Sequence, residues 1–283
     1  MSSTDLPLVS ALQDRIKPDT LVKIGSGTPR FVLGYWSIRG LAAPLRMLLS
    51  ASGVCYWVAM YDVLEDGDEG WNMNSWKADK AWMKQQCNPF MNLPFLIDVQ
   101  EQEVLVQTNA LMSYLGRELN MMGSTKLEMA KCEELMCEIY DVRNTMVGFV
   151  YGASGTADGC VGGAQASMKK LEVHLGRSAA TCLVGNKLTA PDFHLYEMLF
   201  QYDALARHYK LGDFLESYPK LAAYKTCIER LPELQSYLNS SLHKELPFNN
   251  VMARFGSDPS ENAYQRGQKT PWMQQGVVLF ETK

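Results

Sequence analysis

Tyr35 combines a reactive side chain with a position that favours ligand binding. It follows the short apolar run of residues 31–33 and precedes a helical pattern, so it lies at the end of a predicted strand. In α/β domains, ligands bind at the carboxyl ends of such strands. A tyrosine, with an ordinary pKa of about 10, stays protonated at neutral pH and can donate a hydrogen bond. The position alone is also compatible with simple packing.

The dipeptide Gln107-Thr108 is a second candidate, because it stands where a helix is predicted to begin. The free backbone N–H groups and the dipole of a helix start attract an anionic group. A threonine at this position can equally serve only as a helix cap. An anion site and a purely structural role are therefore both open from these two residues.

Cysteines and histidines do not show the spacing of a metal or disulfide site. The seven cysteines are an odd number without a C-x-x-C pair, and the four histidines are not spaced with them as zinc ligands. We therefore expect no metal, and we expect free thiols. Free thiols are typical of a reducing compartment, and the cytoplasm is the simplest choice.

Composition excludes two classes of partner. The net charge of −4 and the pI of about 5.7 give no basic surface for nucleic acid. No apolar run reaches the roughly 18–20 residues of a membrane-spanning helix, and the N-terminus lacks a signal-peptide pattern. The sequence predicts neither a nucleic-acid nor a membrane partner.

The elements that must position Tyr35 form an α/β unit followed by helices. Residues 31–121 show the order βαβαββα, which is the thioredoxin-like layout, and residues 122–252 show helical periodicity throughout. Pro94 stands where that fold places a cis proline, although only about 5% of X-Pro bonds are cis. Residues 1–30 are predicted to be an extension outside the core, and residues 253–283 a C-terminal tail.

Four motifs at these elements point to one family. They are LGYWSIRGLA at 33–42, NLPFLID at 92–98, QTNA at 107–110 and LTAPDF at 188–193. Together they closely resemble cytosolic glutathione transferases, nearest to the mu class, over about residues 31–256. The resemblance implies glutathione as co-substrate in the α/β domain, an electrophile pocket between the domains, and Tyr35 as the catalytic hydroxyl that stabilises the thiolate.

The resemblance also implies roles for further residues. Phe90 corresponds to an aromatic residue that inserts into the partner subunit, so a homodimer is expected, and Asp141 corresponds to an acid that reaches glutathione across that interface. The class has an arginine where this chain has Met73, which implies weaker glutathione binding. The implied glutathione contacts are Trp36, Leu41, Trp76, Lys80, Asn92, Leu93, Gln107, Thr108 and Asp141, and the implied electrophile pocket is lined by Trp36, Leu41, Val147 and Tyr151.

The expected function is conjugation of the glutathione thiolate to hydrophobic electrophiles, a detoxification reaction. Two alternatives keep the same fold: a glutathione-dependent isomerase resembling a prostaglandin synthase, and a non-catalytic ligand-binding or structural protein. A disulfide oxidoreductase is disfavoured because residues 35–41, the strand-to-helix turn, contain no cysteine.

Overall fold

A mixed β-sheet forms the centre of the N-terminal part of the molecule. The computed structural model describes residues 15–66, 70–177 and 181–257. The strands of the sheet lie in the order β1-β3-β2-β6-β7. A separate short ribbon pairs β4 with β5. The strands are β1 (Thr20–Ile24), β2 (Phe31–Trp36), β3 (Tyr56–Tyr61), β4 (Leu64–Glu65), β5 (Trp71–Asn72), β6 (Phe95–Asp98) and β7 (Glu103–Val106).

The predicted parallel pair and hairpin are both confirmed. β2 and β3 are rich in aromatic and aliphatic residues, and they pair in parallel with Tyr35 opposite Met60. β6 and β7 form an antiparallel hairpin, and β6 pairs antiparallel with β2. The Leu93–Pro94 peptide bond, just before β6, is cis. A 3-10 turn, Gly40–Ala42, leads into α1 (Ala43–Ala51); α2 (Asn74–Gln86) precedes β6, and α3 (Thr108–Glu118) follows β7.

The prediction that residues 1–30 lie outside the core is wrong for β1. This strand pairs antiparallel with β3, and Val22 and Ile24 are buried in the core. Buried and outward-facing residues alternate along the strand, as a sheet with one buried face requires. The period-2 pattern is visible in the sequence, but the glycine-rich residues 25–29 make the segment resemble a linker. Residues 1–14 lie outside the described part of the chain.

The C-terminal part is helical. Its helices are α4 (Lys126–Val150), α5 (Ala157–Gly176), α6 (Ala190–His208), α7 (Pro219–Glu229), α8 (Pro232–Leu238) and α9 (Ser241–Lys244). The capping box predicted at the start of α6 is confirmed, because Asp192 accepts hydrogen bonds from the backbone N–H and the side-chain hydroxyl of Thr189, both at 2.7 Å. The fully buried Asp192 carboxylate also accepts from the Tyr224 hydroxyl at 2.8 Å.

The two parts share one apolar core, in which α1 packs against α6 and α8. The predicted tail boundary at residue 253 is wrong for residues 253–257. Phe255 is 2% exposed and stacks on Phe248 with ring centroids 5.9 Å apart, and the Asn249 amide donates to the Gly256 carbonyl at 3.0 Å. The chain therefore folds back onto the helices after α9. The rest of the predicted tail, residues 258–283, lies outside the described residues.

Candidate active site

Tyr35 lies near the carboxyl end of β2 and is 6% exposed. Burial raises the pKa of Tyr35, and this effect outweighs the opposing effects of the Leu41 amide and of the charges on Arg143 and Arg46. The hydroxyl is therefore protonated at neutral pH, and its proton is available for donation.

Gly40 allows the turn after β2 to approach the Tyr35 ring. A Cβ atom at position 40 would lie 2.8 Å from the Tyr35 oxygen and 2.7 Å from Cε1, and the φ angle of Gly40 is +39°. Both the close contact and the positive φ require glycine at this position. The turn thus defines where the hydroxyl lies.

Arg46 holds the same turn from the side of α1. Its guanidinium is fully buried and donates to the carbonyl of Ile38 at 2.8 Å and to that of Trp36 at 3.5 Å. Burial lowers the pKa of Arg46. A buried cation is tolerated only where acceptors such as these carbonyls pair with it. Because Arg46 belongs to α1 and the carbonyls belong to the end of β2 and the turn after it, these hydrogen bonds fix the turn relative to the helix.

A cavity of about 290 Å³ lies between the two parts of the molecule, beside Tyr35. The α/β part, α4, α6 and the segment after α9 all contribute to its walls. Its lining residues are Tyr35, Trp36, Ile38, Gly40, Arg143, Met146, Val147, Tyr151, Met198, Gln201, Asn249 and Asn250. The cavity thus has apolar surfaces interrupted by a few polar groups, as is usual for small-molecule sites.

Tyr151 connects the helical wall to the C-terminal segment. Its oxygen accepts a hydrogen bond from the backbone amide of Asn250 at 2.9 Å, while its side chain is 39% exposed. The hydroxyl keeps its own proton and can donate it to a group in the cavity. Asn250 lies in the segment after α9, outside the four motifs, so its position was not predictable from them.

α2 brings Trp76 and Lys80 next to other predicted contacts. The Trp76 ring is 4% exposed and lies edge-on to Trp36, with centroids 6.3 Å apart. Lys80 Nζ donates to Asn92 Oδ1 at 3.4 Å and lies 5.9 Å from the Trp76 ring centroid. Four residues predicted to contact glutathione are therefore contiguous.

The start of α3 has the features of a ligand site. Gln107 has a φ of +76°, which is uncommon for a residue with a side chain and is typical of functional positions. The Thr108 hydroxyl is buried and has no hydrogen-bond partner among the described residues. It therefore does not cap the helix, which was the structural alternative. A buried hydroxyl without a partner is costly unless a ligand or water pairs with it.

Other residues named by the resemblance do not line the cavity. The Asp141 side chain is exposed on α4, and Phe90 is 75% exposed in the loop before β6. Leu41 does not line the cavity; its backbone contacts Tyr35 instead. Leu93 is partly exposed next to the cis proline, and Met73 is the N-cap residue of α2 without a side-chain cap bond.

Arg143 is a cavity residue that the sequence reasoning missed. On α4 it lies four residues before Val147 and eight before Tyr151, the C-cap residue, so the three share one face. That spacing was the available signal. Arg143 brings a positive charge into the cavity, close enough to Tyr35 to affect the pKa of its hydroxyl.

The described residues contain no group of three or more potential ligands that could hold a metal. All seven cysteines are free. Within the same ranges, no helix has the length and apolar character needed to cross a membrane.

Comparison with known proteins places this geometry in a family. Residues 141–241 match the family described as glutathione S-transferase, C-terminal domain. The chain is 31% identical to glutathione S-transferase Mu 5 of Rattus norvegicus, over 80% of this chain and 95% of the rat protein. It is 32% identical to the class-mu 26 kDa isozyme of Schistosoma mansoni, over 81% of this chain and 96% of that protein.

This chain belongs to the mu class of glutathione transferases. The transferase also resembles the crystal structure of the glutathione S-transferase Blo t 8, with a TM-score of 0.64 and 27% identity, over 80% of this chain and 99% of that one. The thioredoxin-like domain followed by an all-helical domain is thereby confirmed, and the protein is an enzyme of the transferase type.

Proposed function

We propose that this transferase conjugates the thiolate of glutathione to hydrophobic electrophiles, with the Tyr35 hydroxyl donating a hydrogen bond to the sulfur. The observation that carries this proposal is the position of Tyr35: a buried, protonated hydroxyl at a strand end, facing a cavity between the domains. The Leu41 amide and the charges on Arg143 and Arg46 only partly offset the effect of burial on the pKa of Tyr35, so its hydroxyl keeps the proton that it would donate to the sulfur.

A hydrogen bond to the sulfur stabilises the charged form of the thiol. An ordinary thiol has a pKa of about 8.5, so only a few per cent is thiolate at neutral pH. Lowering that pKa by about two units corresponds to roughly 2.7 kcal/mol. A buried donor can supply an effect of this size, because hydrogen bonds to charged groups contribute about 1.5–3 kcal/mol.

Glutathione would extend from the sulfur at Tyr35 in two directions. The start of α3, with its free N–H groups and the buried Thr108 hydroxyl, suits the γ-glutamyl carboxylate. Lys80, held beside Trp76 and Asn92, suits the glycine carboxylate. In a homodimer formed through Phe90, Asp141 of one subunit would bind the amino group of glutathione in the other.

The cavity suits an apolar electrophile with one polar end. Met146, Val147 and Met198 give it apolar walls, whereas Arg143 and Tyr151 supply donors. The Tyr151 hydroxyl can donate to a leaving group or an epoxide oxygen as negative charge develops there. The seven free thiols agree with a reducing compartment, and we propose that the reaction takes place in the cytoplasm.

The experiment compares Tyr35→Phe with Tyr56→Phe. Tyr56 is a buried tyrosine at the opposite end of the parallel pair, where its hydroxyl bonds to Ser50 and the Arg46 carbonyl, so it controls for the loss of a buried hydroxyl. For the Tyr35 variant we expect the pKa of bound glutathione to rise by about two units and turnover of an aryl halide to fall about 50-fold near pH 6.5, in proportion to the thiolate fraction.

Ultraviolet titration of the bound thiolate and initial rates measure these two quantities. Unchanged thiol pKa and turnover in Tyr35→Phe would refute the assigned role of Tyr35. Absence of glutathione binding at millimolar concentration in the unmodified protein would instead favour the non-catalytic alternative. Isomerised rather than conjugated product would favour the glutathione-dependent isomerase.

A further inference from the structure

α2, the helix that carries Trp76 and Lys80, has few attachments of its own to the rest of the fold. Of its 13 residues, the buried ones are Trp76, Asp79 and Met83. Its N-cap residue, Met73, makes no side-chain cap bond, and its first turn contains no acidic residue. A helix start without these features is less stable. The order of α2 therefore depends on contacts supplied by other segments.

Residues 16–24, which we name the N-terminal brace, supply one such contact at Asp79. The Asp79 carboxylate is 5% exposed, and its Oδ2 accepts from the backbone amide of Lys17 and from the Tyr61 hydroxyl, each at 2.8 Å. Burial raises the pKa of Asp79, and these two hydrogen bonds act against that rise. One oxygen thus connects the brace, the helix and β3.

Asp19 supplies the second contact. Its Oδ1 accepts from the Ser75 hydroxyl in the first turn of α2 at 2.8 Å, and its Oδ2 accepts from the Asp62 amide after β3 at 2.9 Å. A carboxylate from outside the helix thereby lies beside an N-terminal turn that has no acid of its own, where the helix dipole favours negative charge. Asp19 immediately precedes β1, so the sheet fixes its position.

Apolar packing reinforces these bonds. Ile16 packs against the cluster formed by Tyr61, Trp76 and neighbouring residues. Trp76 lies between Tyr61 and Phe95, with ring centroids 5.2 Å and 6.1 Å away. The brace precedes residue 31, where the resemblance to the mu class begins, so the motifs of that class do not account for it.

We propose that Asp19 and Asp79 are positioning residues for glutathione: together with the brace they hold α2 in the orientation that presents Trp76 and Lys80 to the glycine end of the tripeptide. This inference rests on the proposed function. Ordering α2 before glutathione arrives reduces the entropy lost on binding. Preordering matters more here than in relatives with an additional arginine, because Met73 contributes no charge.

Asp19→Ala tests the proposal, with Asp213→Ala as the matched control. Asp213 is a carboxylate that accepts a backbone N–H at 2.9 Å, from Leu215, in the helical part. We expect the dissociation constant of glutathione to rise about fivefold to tenfold in the Asp19 variant, as it would if α2 were ordered in only one molecule in five to ten. The control is expected to bind glutathione as the unmodified protein does.

Two measurements separate the possible failures. Hydrogen exchange of the α2 amides, measured without ligand, is expected to become faster in Asp19→Ala and to stay unchanged in the control. Ser75→Ala added to Asp19→Ala is expected to have no further effect, because the Ser75 hydroxyl has already lost its acceptor, Asp19. Unchanged α2 exchange would refute the claim that the brace orders α2, whether or not glutathione binds. Faster exchange with unchanged glutathione affinity would refute the claim that the order of α2 contributes to glutathione binding. Failure of the unmodified protein to bind glutathione would refute the proposed function instead.

Discussion

The ion pair between Arg39 and Glu197 joins the turn after β2 to α6, and its removal gives a quantitative test of how the two domains are held together. Arg39 Nη2 lies 2.6 Å from Glu197 Oε2, and Nε donates to Oε1 at 3.1 Å. Both side chains are almost completely buried. Gln201, which lines the cavity, donates to Glu197 Oε1 at 2.7 Å.

Glu197→Leu leaves the Arg39 charge buried without a counter-ion. Such a change costs about 3–5 kcal/mol, whereas replacing both partners by apolar residues is often nearly neutral. Arg39→Met/Glu197→Leu still breaks two hydrogen bonds, to the His243 carbonyl and from Gln201, at about 1 kcal/mol each. We therefore expect the double variant to be more stable than the single one by about 1–3 kcal/mol.

Equilibrium unfolding in urea measures both variants against the unmodified protein. Glu138→Gln is the control, because Glu138 pairs with Lys170, whose side chain is 66% exposed, and such a pair contributes at most about 1 kcal/mol. A double variant as unstable as Glu197→Leu, or less stable, would contradict the reasoning. That result would mean that the pair stabilises the fold by more than its burial costs.

Two further changes test the turn and a buried histidine. Gly40→Ala is expected to displace the Tyr35 ring and lower turnover about 100-fold. The control is Gly53→Ala: Gly53 has a φ of +72° and open space around it, so the change should strain the backbone without lowering turnover. Equal rates in the two variants would contradict the close contact between Gly40 and the Tyr35 ring. Burial, assisted by Arg143, lowers the pKa of His194 to about 3. The unfolded chain, with a histidine pKa of about 6.5, therefore binds one more proton between these values, and stability falls by about 1.4 kcal/mol per pH unit below about 6.5. In His194→Phe the dependence of stability on pH, measured by urea unfolding from about pH 6 to 4, should be shallower by about 1.4 kcal/mol per pH unit. An unchanged pH dependence would show that His194 is protonated in the folded protein.

The core of the fold was predictable because its signals are local. The apolar strands, the glycines of the turn and the capping box at Thr189 each depend on neighbouring residues, so the order βαβαββα and the helical domain could be deduced from the sequence. β1 was missed because a five-residue strand beside a glycine-rich segment has too few residues to outweigh its surroundings.

The candidate site was predictable only in part, because it is assembled from distant segments. Tyr35, Val147 and Tyr151 could be assigned through the resemblance to the mu class, and the structure places all three at one cavity. Asn250 depends on how the chain returns after α9, which no local pattern encodes. The contact between Lys17 and Asp79 joins residues 62 positions apart, and sequence periodicity carries no information on such pairs.

β1 also changes which strand forms the edge of the sheet. Without it, one side of β3, with the sequence YWVAMY, would present unpaired N–H and C=O groups on an uncharged, aromatic strand. Exposed edges of this kind pair readily with other chains and promote aggregation. β1 covers that edge with a five-residue strand that carries Lys23, a charge of the kind that discourages further strand addition. The N-terminal segment thus protects the sheet against association with other chains.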